Sequence, residues 1–136
     1  MDSVLQRLWL KPQKMLLLFK PPFDQTPNNP GYIKGYPPGL RENGGQYSHA
    51  AMWVVLALTS MRRGFEAHQL LAQLNPIAHA LDKTALQTYQ VEPYVVAADV
   101  YSVAPHQGRG GWTWYTGAAG WMYRAAIEGL LGIRRQ

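Results

Sequence analysis

The chain has 136 residues, 47% of them hydrophobic, with a formal net charge of +5, which describes one domain or part of one and argues against disorder. With no cysteine it has no disulfide framework, thiolate nucleophile or thiolate metal site, and its four scattered histidines form no metal-binding spacing, so neither a metal nor a cofactor is expected. The excess of Lys and Arg lies partly at the two ends and lacks the dense basic run interleaved with aromatics that nucleic acid requires, so no nucleic-acid partner is expected.

Residues 1 to 20 carry spaced apolar positions, Val4, Leu5, Leu8 and Leu10, and then the run MLLLF, which suits a short buried strand or a helix segment equally. This start lacks the apolar core and cleavage site of a secretory signal, and no apolar run approaches membrane-spanning length. A soluble, cytoplasmic chain is the expectation. From 21 to 45, six prolines and five glycines dictate a loop whose length points to function or to packing by something else.

ENGGQYSH, residues 42 to 49, delivers its polar groups to the start of SHAAMWVVLALTSMRRG. That stretch predicts a helix over 48–63 with Ser48 as candidate N-cap. It has no polar face through its first turns and should therefore be buried on all sides. FEAHQLLAQL predicts an amphipathic helix over 65–74, making a helix hairpin with the first, and Asn75 with Pro76 opens a short helix over 76–81. VEPYVVAADVYSV, 91–103, is ambiguous: the β-branched residues suit a strand, whereas Pro93 and the Ala97, Ala98 pair suit a helix, which is the reading adopted. HQGRGGWTWYTG is a second polar loop, and AAGWMYRAAIEGLLGI predicts a closing helix over 117–131, where Gly120 and Gly129 make close packing necessary. Two helices without a solvent face exceed what this chain can cover, so either the rest of a larger helical domain or a second copy should cover them.

Both loops end at a helix start, where free N–H groups and the positive dipole end favour an anion. His49 can donate to phosphate, Thr116 offers a hydroxyl, and Gly117 offers an unscreened N–H. Ordinary capping by Ser48 and Thr116 is the competing reading. Glu42, Asn43, Gln46 and Tyr47, with tryptophans nearby, are candidate sugar-binding residues; the bland alternative for Glu42 is an ion pair with Arg41 or Arg109. No Asp or Glu announces itself as a general acid, though Glu92 and Asp99 sit where burial could perturb them.

PGYIKGYPPGLRENGGQYSHAAMW (30–53), LNPIAHA (74–80), YQVEPYVVAADVYS (89–102), GRGGWTWYTGAAGWMYR (108–124) and IEGLLGI (127–133) together resemble the inverting disaccharide and oligosaccharide phosphorylases, the cellobiose and chitobiose phosphorylase type of glycoside hydrolase family 94. Within that family the chain most resembles the phosphorylase-like region of cyclic β-1,2-glucan synthases. Leu40 and Ser48 stand where isoleucine and threonine are commoner, and 59–69 is more basic than expected.

The resemblance implies an all-α chain, the C-terminal part of an (α/α)6 barrel with long polar loops. It implies inorganic phosphate on His49, Thr116 and Gly117, Glu42 in the sugar subsite, and β-linked glucose saccharides as substrates of the complete domain. It also implies a catalytic aspartate supplied by an earlier part of the barrel, with no counterpart in this sequence. The chain alone is then expected to be inactive, completed by the remainder of the barrel or by self-association, while a longer parent can still be membrane-associated. The alternative reading is a non-catalytic helical module that binds carbohydrate or protein.

Overall fold

Lys11-Pro12-Gln13-Lys14 cannot extend a helix, because proline lacks the N–H and Lys14 takes a left-handed φ of 53°. The chain therefore turns back on itself. The computed structural model, which describes residues 1–135, has a short helix α1 (Asp2–Arg7) followed by β1 (Trp9–Leu10) and β2 (Met15–Leu16), antiparallel with Trp9 opposite Leu16. MLLLF thus begins as a strand. The proline-rich segment that follows is nonregular, as expected, apart from a 3-10 turn at Gly31–Gly35 and an isolated bridge between Leu40 and Asn43.

β3 (Gln46–Tyr47) runs directly into α2 (Ser48–Ser60), and α3 (Gly64–Leu74) folds back along it to complete the predicted helix hairpin. Asn75 accepts a bond from the Ile77 N–H at 3.0 Å and so caps a 3-10 turn, Pro76–His79, where a short helix to residue 81 was expected. α4 (Lys83–Tyr89), which has no counterpart among the predicted elements, is opened by Asp82 accepting from the Ala85 N–H at 2.8 Å and closed by Gln90 in the left-handed region.

The predicted helix over 91–103 does not form. That segment holds β4 (Asp99–Val100), antiparallel to β3 with Gln46 opposite Val100 and Tyr47 opposite Asp99. Its β-branched residues prevail because an extended chain sends Val91, Val95, Ala97 and Val100 into a buried cluster with Met15, Leu17 and Tyr89. The all-α expectation is corrected accordingly: the fold is a helix-dominated mixture of α and β, with two short antiparallel pairs among the described residues, consistent with part of a helical barrel.

The larger core gathers Trp9 and Leu16 of the hairpin, Met52, Val55 and Leu58 of α2, and Leu70 of α3. α2 is not buried on all sides within this chain, since Trp53 remains 53% exposed. The closing helix is α5 (Ala118–Arg124), continued by a π-helical turn, Ala125–Leu130. Gly129 permits its close approach to α2, for a Cβ there would lie 3.2 Å from both Leu56 Cδ2 and Thr59 Oγ1. Gly120 has no such reason, with nothing within 4 Å of its would-be Cβ. Gly120→Ala, a change in the first turn of α5, should therefore raise stability by about 0.4–1 kcal/mol, chiefly because the unfolded chain has less freedom to lose; a urea midpoint equal to or below that of the unsubstituted chain would refute it.

Candidate functional site

The site is built where β3 meets α2. Backbone pairing of Tyr47 with Asp99 and a bond from the Ser48 N–H to the Ala98 carbonyl (2.8 Å) fix the first turn of α2 against β4. Ser48 is not the side-chain cap expected of it: Tyr47 occupies the N-cap position, and the buried Ser48 hydroxyl accepts from Gln46 Nε2 at 3.1 Å instead. His49, one residue on, is enclosed by rings. Tyr47 lies nearly parallel to it at 6.1 Å, Trp53 meets it edge-on at 5.0 Å, and Trp121 of α5 is tilted at 5.5 Å.

The second loop reaches the same place. Gly117 occupies the N-cap position of α5; Thr116, one residue earlier, accepts from the Ala118 N–H at 3.1 Å, a bond that shapes the turn into the helix, and its hydroxyl proton remains to be donated. A Cβ built on Gly117 would lie 3.4 Å from both Cε1 and Nδ1 of His49, so the imidazole packs against bare backbone. His49, Thr116 and Gly117 line one cleft of about 300 Å³ together with Arg41, Tyr47, Ala98, Trp112 and Tyr115.

The other candidates divide. Asn43 is 1% exposed and spends its amide on the loop, accepting from the Phe23 N–H and donating to the Tyr36 carbonyl, each at 2.6 Å. Gln46 is likewise buried, accepting from the Leu16 N–H at 3.0 Å. Both hold the first loop against the rest of the chain. Glu42 forms no ion pair among the described residues, with Arg41 or Arg109 or any other group, and its Oε2 is buried without a hydrogen-bond partner.

Two residues acquire a place that sequence reasoning missed. Arg41, at a left-handed φ of 46°, donates from Nε to Asp99 Oδ2 at 3.2 Å and lies 5.2 Å from the centre of the Trp112 ring and 5.6 Å from that of Tyr36. It lines the His49 cleft and also an adjoining one of about 760 Å³, which Asp99, Tyr101, Arg109 and Trp112 share. Adjacency to ENGG was the available signal for Arg41. Its partner lies 58 positions away.

A separate cleft of about 390 Å³ is lined by Lys14, His79, Asp82 and Tyr89 among others, and by none of the predicted site residues. There His79 stacks on Tyr89 at 4.7 Å, and burial, aided by the charge of Lys14, pushes its pKa down to about 4. Among the described residues no group of three His, Asp or Glu is placed to hold a metal ion, and no helix is long and apolar enough to cross a membrane.

Comparison with known proteins places the chain among relatives. The chain is 55% identical over 136 residues, 100% of its length, to the cyclic beta-(1,2)-glucan synthase NdvB of Rhizobium meliloti (strain 1021), and covers 5% of that protein. It is 31% identical over 120 residues to the solabiose phosphorylase of Paenibacillus borealis, with 86% of the chain and 15% of the relative covered. It is 30% identical over 118 residues to the N,N'-diacetylchitobiose phosphorylase of Vibrio proteolyticus, with 83% and 14% covered. The chain thus spans a small part of each relative's length. Residues 1–132 match the catalytic domain of the Glycosyl hydrolase 94 superfamily, and the chain belongs to this phosphorylase-type, carbohydrate-active family.

Proposed function

We propose that this chain supplies the phosphate-binding side of an inverting phosphorylase-type site, with His49, Thr116 and Gly117 as the phosphate ligands and Arg41 as a neighbouring cation. The observation that carries this reading is the shared cleft, in which the His49 ring at the start of α2 abuts the bare Gly117 backbone at the start of α5, with Thr116 one residue ahead of it. In the complete domain, which we take to be an (α/α)6 barrel with this chain as its C-terminal part, the substrates are inorganic phosphate and β-linked glucose saccharides. The outcome there is reversible phosphorolysis, or chain-length processing in cyclic β-1,2-glucan synthesis.

The chemistry divides between two faces of the sugar. A phosphate oxygen attacks the anomeric carbon from one face while a carboxylic acid protonates the departing glycosidic oxygen from the other, so phosphate replaces the activated water of an inverting hydrolase. His49 and the N–H groups around Thr116 and Gly117 would orient phosphate and offset its charge. Asp99 is the only carboxylate among the described residues lining the two clefts, and both its oxygens are taken, one by Arg41 and one by the Trp112 N–H at 3.0 Å. It is therefore unsuited to be the acid, which we place on another part of the domain. Glu42 suits the sugar side, because a buried carboxylate oxygen without a partner calls for a hydroxyl donor. Tyr47 joins the phosphate cleft, while Asn43 and Gln46 serve the sugar side by holding the loop that carries Glu42.

Titration of inorganic phosphate, followed by calorimetry, tests the assignment. His49→Ala removes one charge-assisted hydrogen bond of about 1.5–3 kcal/mol and should weaken binding by about 10- to 150-fold. Equal affinity in the two proteins would place phosphate elsewhere.

A further inference from the structure

Asp99 sits at the junction of all three segments that form the clefts. Its backbone pairs with Tyr47 at the entry to α2, and its carbonyl accepts from the Gly111 N–H at 2.8 Å. Its carboxylate takes the Trp112 N–H on Oδ1 and Arg41 Nε on Oδ2. The residue is 1% exposed, so these bonds are shielded from water, whereas the Arg41 side chain is 26% exposed where it enters the clefts. An arginine presents five N–H donors in a planar fork, and a partner on Nε fixes the plane while leaving the two terminal amines for another group. Trp112 and Tyr36 lie beside the same guanidinium.

We propose that Asp99 is a positioning residue: it fixes the orientation of the Arg41 guanidinium so that its terminal amines face an anion in the His49 cleft, and through Trp112 it holds the Thr116–Gly117 turn at the matching distance. This rests on the phosphate reading of that cleft. A side chain of similar shape without charge, as in Asp99→Asn, keeps an acceptor for the Trp112 N–H but binds Arg41 less well. The fold should persist while the guanidinium loses its fixed plane.

The test uses the 136-residue chain with ¹⁵N-labelled arginine and inorganic phosphate as the probe. In the unsubstituted chain the Arg41 Nε–H should give a signal protected from exchange and distinct from those of the other arginines. Asp99→Asn should abolish that protection and weaken phosphate by about tenfold. Arg41→Gln should weaken it at least as much, and the double variant should be no worse than Arg41→Gln alone, since Asp99 acts through Arg41. Arg41→Lys, which keeps the charge but lacks the fork, should also lose affinity and covers the case in which Asp99→Asn does not fold. An Nε–H signal unchanged by Asp99→Asn, additive losses in the double variant, or full affinity in Arg41→Lys would each overturn the proposal. If the unsubstituted chain binds no phosphate, the phosphate reading fails, and the Nε–H comparison alone then decides whether Asp99 positions Arg41.

Discussion

Gly111→Ala is expected to lower stability by about 3–5 kcal/mol, the range for a buried carboxylate left without its cation, and to eliminate the phosphate binding we propose for the His49 cleft. A Cβ at this position would lie 2.3 Å from Asp99 Oδ1 and 2.8 Å from its Cγ. Backbone conformation is not the difficulty, because Gly111 is absent from the glycines with positive φ. The obstruction is steric, and the carboxylate can give way only by breaking the bonds that hold it. Oδ1 is bound to the Trp112 N–H and Oδ2 to Arg41, with the Asp99 side chain only 2% exposed. Displacing it would leave a carboxylate buried without its cation and release the loop that carries Thr116 and Gly117. Urea unfolding and phosphate titration of the same preparation check both halves; stability within 1 kcal/mol of the unsubstituted chain would show that the carboxylate can retreat.

Acid should unfold the chain in a range set by His79, before most carboxylates titrate. Its pKa in the folded chain is about 4 against an ordinary value of 6.5, so the folded state binds fewer protons than the unfolded one between those limits. The stability this neutral, buried ring contributes is present above about pH 6.5 and is lost as pH falls toward 4, in total about 2–4 kcal/mol. Asp2, Glu66, Glu92 and Glu128 have pKa values held below the ordinary range, by hydrogen bonds from Arg63 for the first two, from Trp114 for Glu92 and from Arg124 for Glu128. Their contributions vanish at lower pH still. His79→Phe retains a ring against Tyr89, which His79 meets at an interplanar angle of 17°, and removes the titration. Urea midpoints at pH 7, 5.5 and 4 should then decline much less in the variant, and equal declines would assign the acid sensitivity to another group.

Features set by nearby residues were legible in the sequence. The apolar run and its arginine stop marked α2, Asn75 was legible as a cap although the helix expected over 76–81 is only a 3-10 turn, and the prolines and glycines of 21–45 marked a loop. Glycine and threonine at the start of the last helix, with histidine at the start of α2, gave the members of the cleft. What escaped depends on partners distant along the chain. β4 is a strand because Gln46 and Tyr47 pair with it, and nothing within 91–103 expresses that pairing. Asn43 and Gln46 read as ligand groups because a carboxamide that binds a sugar and one that ties down a loop are the same residue; the bonds they make with Phe23, Tyr36 and Leu16 could not be read from the sequence. Arg41 was seen as a neighbour for Glu42, and only the fold brings it to Asp99.

The absence of any residue between β3 and α2 makes chain length itself a specification. A strand reverses the face of its side chains at each step, and a helix turns by about 100° per residue. Adding one residue between Gln46 and His49 would turn Tyr47 to the opposite face or swing the imidazole by more than a quarter-turn from Gly117, depending on which element absorbed it. The nonregular stretch near 24–30 has no comparable restriction, being neither paired nor helical. Insertions and deletions can therefore accumulate ahead of ENGG, whereas the interval from its second glycine to His49 admits substitution but no change in length.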